Sequence, residues 1–101
     1  MELPKICNAL GNGTRFQIVR ALKDHTINTG CDQIQYFEGA ISVADVVAST
    51  GLAQSTVSRH LAVLESAGVV RREKRGRWTC FFLNKGLLEA FSRELYQTIC
   101  Q

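Results

Sequence analysis

Residues 42–68 read SVADVVASTGLAQSTVSRHLAVLESAG, from Ser42 to Gly68. Val43, Val46 and Val47 fall on one helical stripe, and the pattern stops at Ser49-Thr50-Gly51. A second periodic segment follows, with Val57, Leu61 and Leu64 on one face at spacings of four and three. Two short helices joined by a tight Gly-containing turn make a helix-turn-helix. The outward face of the second helix then carries Gln54, Ser55, Thr56, Ser58, Arg59 and His60. Short hydrogen-bonding side chains and one Arg, crowded into two turns, suit a DNA major groove, where base edges present donors and acceptors flanked by phosphates. The alternative is a solvated helix face. The local chemistry predicts a recognition helix.

Downstream of Gly68, a natural residue to end that helix, the period changes. Val69-Val70-Arg71-Arg72 rises, Glu73 to Gly76 turns, and Arg77 to Leu83 (RWTCFFL) returns, with Thr79, Phe81 and Leu83 on one face. Five of the 12 Lys and Arg lie between residues 71 and 77, opposed there only by Glu73. A hairpin with a basic tip, directly after a recognition helix, reads as a wing. Its tip is placed for phosphate backbone or minor-groove contact, through Arg75 and Arg77 above all. Trp78 and Phe82 read as packing residues. Asn84-Lys85-Gly86 opens a last helix, Leu87 to about Cys100. Its stripe Leu88, Phe91, Leu95 and Ile99 is too apolar for a terminal helix lying alone.

Upstream, Leu3 to Leu10 reads as a first helix with Leu3, Ile6, Cys7 and Leu10 on one face and Pro4 tolerated in its first turn. Gly11-Asn12-Gly13 breaks it. Thr14 is the expected N-cap of a second helix from about Arg15 to Asp24, with Phe16, Ile18, Val19 and Leu22 inward and His25 closing it. Leu3 and Ile6, together with Leu88, Phe91, Leu95 and Ile99, form the expected dimer surface. Thr26 to Gly39 is irregular, and Ile34-Gln35-Tyr36-Phe37 within it fits a strand or a short helix. Ala40-Ile41 fits a short strand. The fold expected is mainly α with a small β-hairpin: a single winged helix-turn-helix domain over residues 1–101, with about five helices and a two-stranded wing.

At 101 residues, 46% of them hydrophobic, the chain holds one compact core, and so small a domain gains buried surface by dimerising. A net charge of +3 is too mild to indicate nucleic-acid binding by itself. Its concentration in the wing does so. The start, Met-Glu-Leu-Pro-Lys, lacks a secretory signal, and no apolar run approaches the roughly 18 residues of a membrane span, so a cytosolic location is expected. There the four cysteines (Cys7, Cys31, Cys80 and Cys100) are expected as resting thiols. None forms a C-x-x-C pair. Nothing resembles a Gly-rich phosphate loop, paired carboxylates or a nucleophile elbow, and two histidines without motif partners do not suggest hydrolysis. No enzymatic activity is expected.

On Ala9-Leu10 through Thr14-Arg15, on Leu52 to Gly68, and on Gly76-Arg77-Trp78, the chain resembles the ArsR/SmtB family of small winged-helix repressors. Gln54-Ser55-Thr56-x-Ser58-x-His60-Leu61 is the most specific part. The resemblance implies a homodimer joined by its first and last helices, bound to a palindromic operator in double-stranded DNA and released by an inducer: Zn(II), Cd(II), Pb(II), Cu(I), Ni(II), As(III) or a thiol oxidant. The sequence departs from that pattern in several places. Soft-metal sensors of the family carry Cys-x-Cys where this chain has Ser42 and Ala44. The last-helix ligand cluster of its Zn(II) and Ni(II) sensors is absent. Residues 26–39 are longer than the usual connection. Ala53 stands where a capping Ser is frequent, weakening the cap by ~1 kcal/mol.

The cysteines admit two readings. Buried thiols are commonly small hydrophobes, which suits Cys80. Alternatively Cys7, Cys31 and Cys100 are a metal or redox sensor, with As(III) or another soft metal held by thiolates, or a disulfide formed between two cysteines with Cα atoms within about 7 Å. His60 has no ligand partner at helical spacing. Two rivals to the inducible repressor stay open: a winged-helix protein-interaction module, and a repressor with no metal inducer.

Overall fold

The computed structural model describes residues 1–24, 41–75 and 78–101. Among these residues, five helices and three strands run in the order α1 (Leu3–Leu10), α2 (Gly13–Asp24), β1 (Ile41–Ser42), α3 (Val43–Thr50), α4 (Gln54–Ser66), β2 (Val70–Arg75), β3 (Trp78–Leu83) and α5 (Lys85–Cys100). This is a winged helix-turn-helix. The expected elements at His25, residues 26–39, Ala40 and the Gly76-Arg77 tip lie outside the described residues.

The helix-turn-helix is held by local chemistry at each junction. Ser42 and Asp45 form a reciprocal capping box at the start of α3: Ser42 Oγ accepts from the Asp45 N–H at 3.2 Å, and Asp45 Oδ2 accepts from the Ser42 N–H at 3.0 Å. Gly51 ends α3 in the left-handed region at φ 72°. Thr50 Oγ1 donates to the Val46 carbonyl and accepts from the Leu52 N–H, which fixes the turn into α4. Ala53 precedes α4 and supplies no side-chain cap. At the other end the Val69 N–H bonds the Leu64 carbonyl and the Gly68 N–H bonds the Glu65 carbonyl, the paired closure that needs a left-handed residue. Gly68 supplies it at φ 83°.

Val57, Leu61 and Leu64 of α4 are fully buried. They meet Val46 of α3, Ile18 and Leu22 of α2, Ile6 and Ala9 of α1, Val69, Val70 and Phe81 around the sheet, and Phe91 of α5 in one core. Phe16, expected inward, is 49% exposed. Ile18 and Leu22 stand one turn apart and set the buried stripe of α2, and Phe16, two residues before Ile18, falls on the other side. Helix α2 also begins earlier than expected. Asn12, rather than Thr14, caps it, its Oδ1 accepting from the N–H groups of Thr14 at 3.0 Å and Arg15 at 3.1 Å.

The first strand of the wing is longer than the sequence suggested. Residues 73–75, read as turn, continue β2, because pairing holds from Val70↔Leu83 out to Arg75↔Trp78. The sheet has a third strand as well: β1 pairs antiparallel with the far edge of β3, Ile41 opposite Phe81 and Ser42 opposite Cys80. That pairing ties the start of the helix-turn-helix to the wing. Cys80 is buried and disulfide-bonded, so the expectation of four resting thiols fails for this residue. Its burial agrees with the reading of Cys80 as a core residue. Helix α5 starts at Lys85, two residues earlier than expected, capped by Asn84 Oδ1 accepting from the Leu87 N–H.

Among the described glycines, Gly68 has the least room for a side chain. A Cβ there would sit 2.8 Å from Leu87 Cδ1, on a backbone already at positive φ. Gly68→Ala should cost ~1–2 kcal/mol from the left-handed conformation alone, measured as a lower denaturant midpoint at unchanged slope.

Candidate nucleic-acid interface

Because α4 turns Val57, Leu61 and Leu64 into the core, the 3.6-residue period turns Gln54, Ser55, Ser58 and Arg59 outward, and all four are exposed. Thr56 and His60 lie one turn apart on the flank of that face and are half-buried. The six residues singled out in the sequence therefore make one continuous surface, with four at its crest and two at its edge.

His60 has a neighbour that sequence reading missed. Arg15, from the second residue pair of α2, places Nη1 3.4 Å from His60 Nδ1. Its other two nitrogens are occupied by the end of α1: Nε donates to the Ala9 carbonyl at 2.8 Å and Nη2 to the Asn8 carbonyl at 3.1 Å. These carbonyls belong to the last turn of α1, beyond the reach of the helix's own i+4 N–H groups; the Asn8 carbonyl also accepts from the Gly11 N–H at 3.3 Å. Burial, and then the positive charges of Arg15 and Arg59, hold the His60 imidazole below the ordinary histidine range. The only sequence signal for Arg15 was its place in the family-like run Thr14-Arg15, and no periodicity separates it from a surface arginine.

The wing's basic residues divide by what they touch. Arg72 bonds Glu65 of α4 at 3.0 Å and lies over the Phe81 ring, 5.3 Å from its centroid. Arg71 covers Phe82 at 5.4 Å. Both pairs are directly opposed across the β2–β3 ladder, where side chains on one face meet. Arg72 thus braces the wing against the recognition helix, while Arg71 and Lys74 are exposed. Arg75 is the last residue of β2, and Arg77 lies outside the described residues.

Of the residues expected at a dimer surface, Ile6 and Phe91 are buried within the protomer. Leu3, Leu88 and Leu95 are half-buried against the core. Ile99 is 72% exposed and its neighbour Tyr96 59%. Cys7 on α1 and Cys100 at the end of α5 are exposed free thiols, and Cys31 lies outside the described residues. Among the described residues, no group of three His, Cys, Asp or Glu stands close enough to hold a metal ion, and no helix is long and apolar enough to cross a membrane.

Residues 37–72, spanning β1, the helix-turn-helix and the start of the wing, match the bacterial regulatory proteins of the arsR family. A Halobacterium salinarum protein described as an arsenical resistance operon repressor is 32% identical over 74 residues, which are 73% of this chain and 52% of that one. An uncharacterised helix-turn-helix-type transcriptional regulator of Methanocaldococcus jannaschii is 27% identical over 79 residues, 78% of this chain and 74% of that one. The chain thus spans about half the length of the first of these relatives. The fold is shared with a homodimeric winged helix-turn-helix DNA-binding domain from Mycobacterium bovis, at a TM-score of 0.66 and 23% identity over 96% of this chain and 76% of that one. With a recognition helix, a braced wing and a matching family profile on the same residues, the chain belongs to the ArsR family of winged helix-turn-helix regulators.

Proposed function

We propose that the protein is a transcriptional repressor that binds a palindromic operator as a homodimer. The observation that carries this reading is α4 itself: one side fully buried, the other an exposed row of Gln54, Ser55, Ser58 and Arg59 beside a basic hairpin. In this reading Gln54 to His60 enter the major groove and Arg75 and Arg77 hold the backbone. The two protomers join through α1 and α5, where Ile99 and Tyr96 offer uncovered apolar area. The Mycobacterium bovis relative is a homodimer, which supports the same assembly here. Release from DNA would come through thiol chemistry, a soft metal, a metalloid or an oxidant acting at Cys7 and Cys100, both exposed and free.

Fluorescence anisotropy on duplex DNA from upstream of the protein's own gene tests the DNA reading. Log affinity should fall steeply with log salt, by about 0.9 per phosphate neutralised. Arg59→Ala should lose ~1–3 kcal/mol on the specific site. Affinity for a protein partner that persists at high salt, with no DNA binding, would favour an interaction module instead.

Ile99→Glu should shift sedimentation toward the monomer and weaken operator binding in parallel, because a carboxylate in an apolar interface is costly to desolvate. A dimer of undiminished stability would place the interface elsewhere.

Adding As(III), Cd(II) or a thiol oxidant to the complex should release DNA, and Cys7→Ser or Cys100→Ser should abolish the response. Binding indifferent to all three agents would leave a repressor without a metal or thiol inducer.

A further inference from the structure

Arg15 is bound on three sides. A guanidinium carries five N–H donors, no acceptor, and a proton it does not lose. Two of its nitrogens close the last turn of α1 at the Asn8 and Ala9 carbonyls, and the third faces His60 Nδ1. Its own backbone N–H is held by Asn12 Oδ1 at 3.1 Å, so the guanidinium is fixed at both ends. A group that can only donate requires a lone pair on the nitrogen it faces. In the neutral ring the proton must then sit on Nε2, at the far side of the imidazole.

Capping α1 would by itself justify the two carbonyl bonds, but it does not require a contact to the recognition helix. That contact is to one of the six residues on its outward surface. A ring free to exchange tautomers presents either a donor or an acceptor, whereas a ring held from Nδ1 presents one fixed donor. Such selection matters at a groove, where acceptors and donors differ from base to base.

We propose that Arg15 is a positioning residue for the recognition helix, locking His60 in the Nε2–H tautomer so that it offers a single hydrogen bond to an acceptor on DNA. The proposal rests on the DNA-binding reading for its purpose, and on the Arg15–His60 pair alone for its mechanism. Three elements meet at this guanidinium: the end of α1, the first turn of α2 and the flank of α4. The low-lying titration of the imidazole, caused by burial first and by Arg15 and Arg59 next, agrees with a ring that is neutral near pH 7.

The test has two arms. In the free protein, long-range nitrogen–proton NMR of the imidazoles reads the tautomer directly, with His60→Gln separating His60 from His25. The wild type should show a protonated Nε2 and a bare Nδ1. Arg15→Gln should give mixed tautomers and a titration midpoint raised toward that of an ordinary histidine. Arg15→Lys, which retains a donor and a charge for the α1 carbonyls but has one nitrogen rather than three to share between them and His60, should likewise mix the tautomers if Arg15→Gln fails to fold. An unchanged tautomer and midpoint in a folded Arg15 variant would overturn the proposal.

In the second arm, Arg15→Gln and His60→Gln should each weaken operator binding by roughly 3- to 10-fold, the range of one hydrogen bond. The double variant should be no weaker than the worse single one, since both remove the same fixed donor. Losses that multiply would overturn the coupling. A His60→Gln loss confined to the operator identifies a base acceptor, and an equal loss on scrambled DNA identifies a phosphate; both sustain the proposal. Failure of the wild type to bind any DNA would sink the function proposed above. The NMR arm would then decide the pairing by itself.

Discussion

The burial of Val57, Leu61 and Leu64 on one side of α4 is the constraint on which the rest of this molecule depends. Burying a Leu or Val side chain contributes about 1.5–3 kcal/mol, and three of them along one stripe fix the rotation of the helix about its axis. A helix whose rotation is fixed has no choice about what it shows to solvent. The polar row from Gln54 to Arg59 faces outward because its opposite face cannot leave the core. Everything around α4 serves that placement: the capping box and left-handed Gly51 set its entry, and Gly68 sets its exit.

Charge in the wing has two different uses. A row of arginines at a hairpin tip looks uniform in sequence, yet Arg72 is spent on Glu65 and the Phe81 ring. An exposed ion pair contributes little, with a median of about 0–1 kcal/mol. Its position matters more than its strength, because it joins β2 to the last turns of α4. Together with the β1–β3 pairing at Ser42 and Cys80, it makes the wing and the helix-turn-helix one unit. A wing so joined keeps β2 in a set place beside α4.

Arg15 brings a further element into that unit. The recognition helix is usually considered against the helix before it and the wing after it. Here the end of α1 reaches the flank of α4 through a single guanidinium. One side chain of α2 thereby joins the end of α1 to α4.

Periodicity and turn chemistry were enough to read the five helices, the hairpin, the outward polar face of α4 and the closing role of Gly68. Each depends on residues within a few positions of one another, where spacing maps directly onto a face. What depends on contacts distant in sequence was hidden. Phe16 looked like core until Ile18 and Leu22 took the inward stripe, and residues 73–75 looked like a turn until their ladder with β3 extended them as strand. Arg15 and His60 are 45 residues apart, Arg72 looked like its neighbours, and the bonded state of Cys80 had no local sign. A sequence of apolar and polar spacings determined which surfaces exist. Only the packing of α1, α2 and the sheet around α4 decided which side chains on them are already engaged, because that depends on distances the chain acquires when it folds.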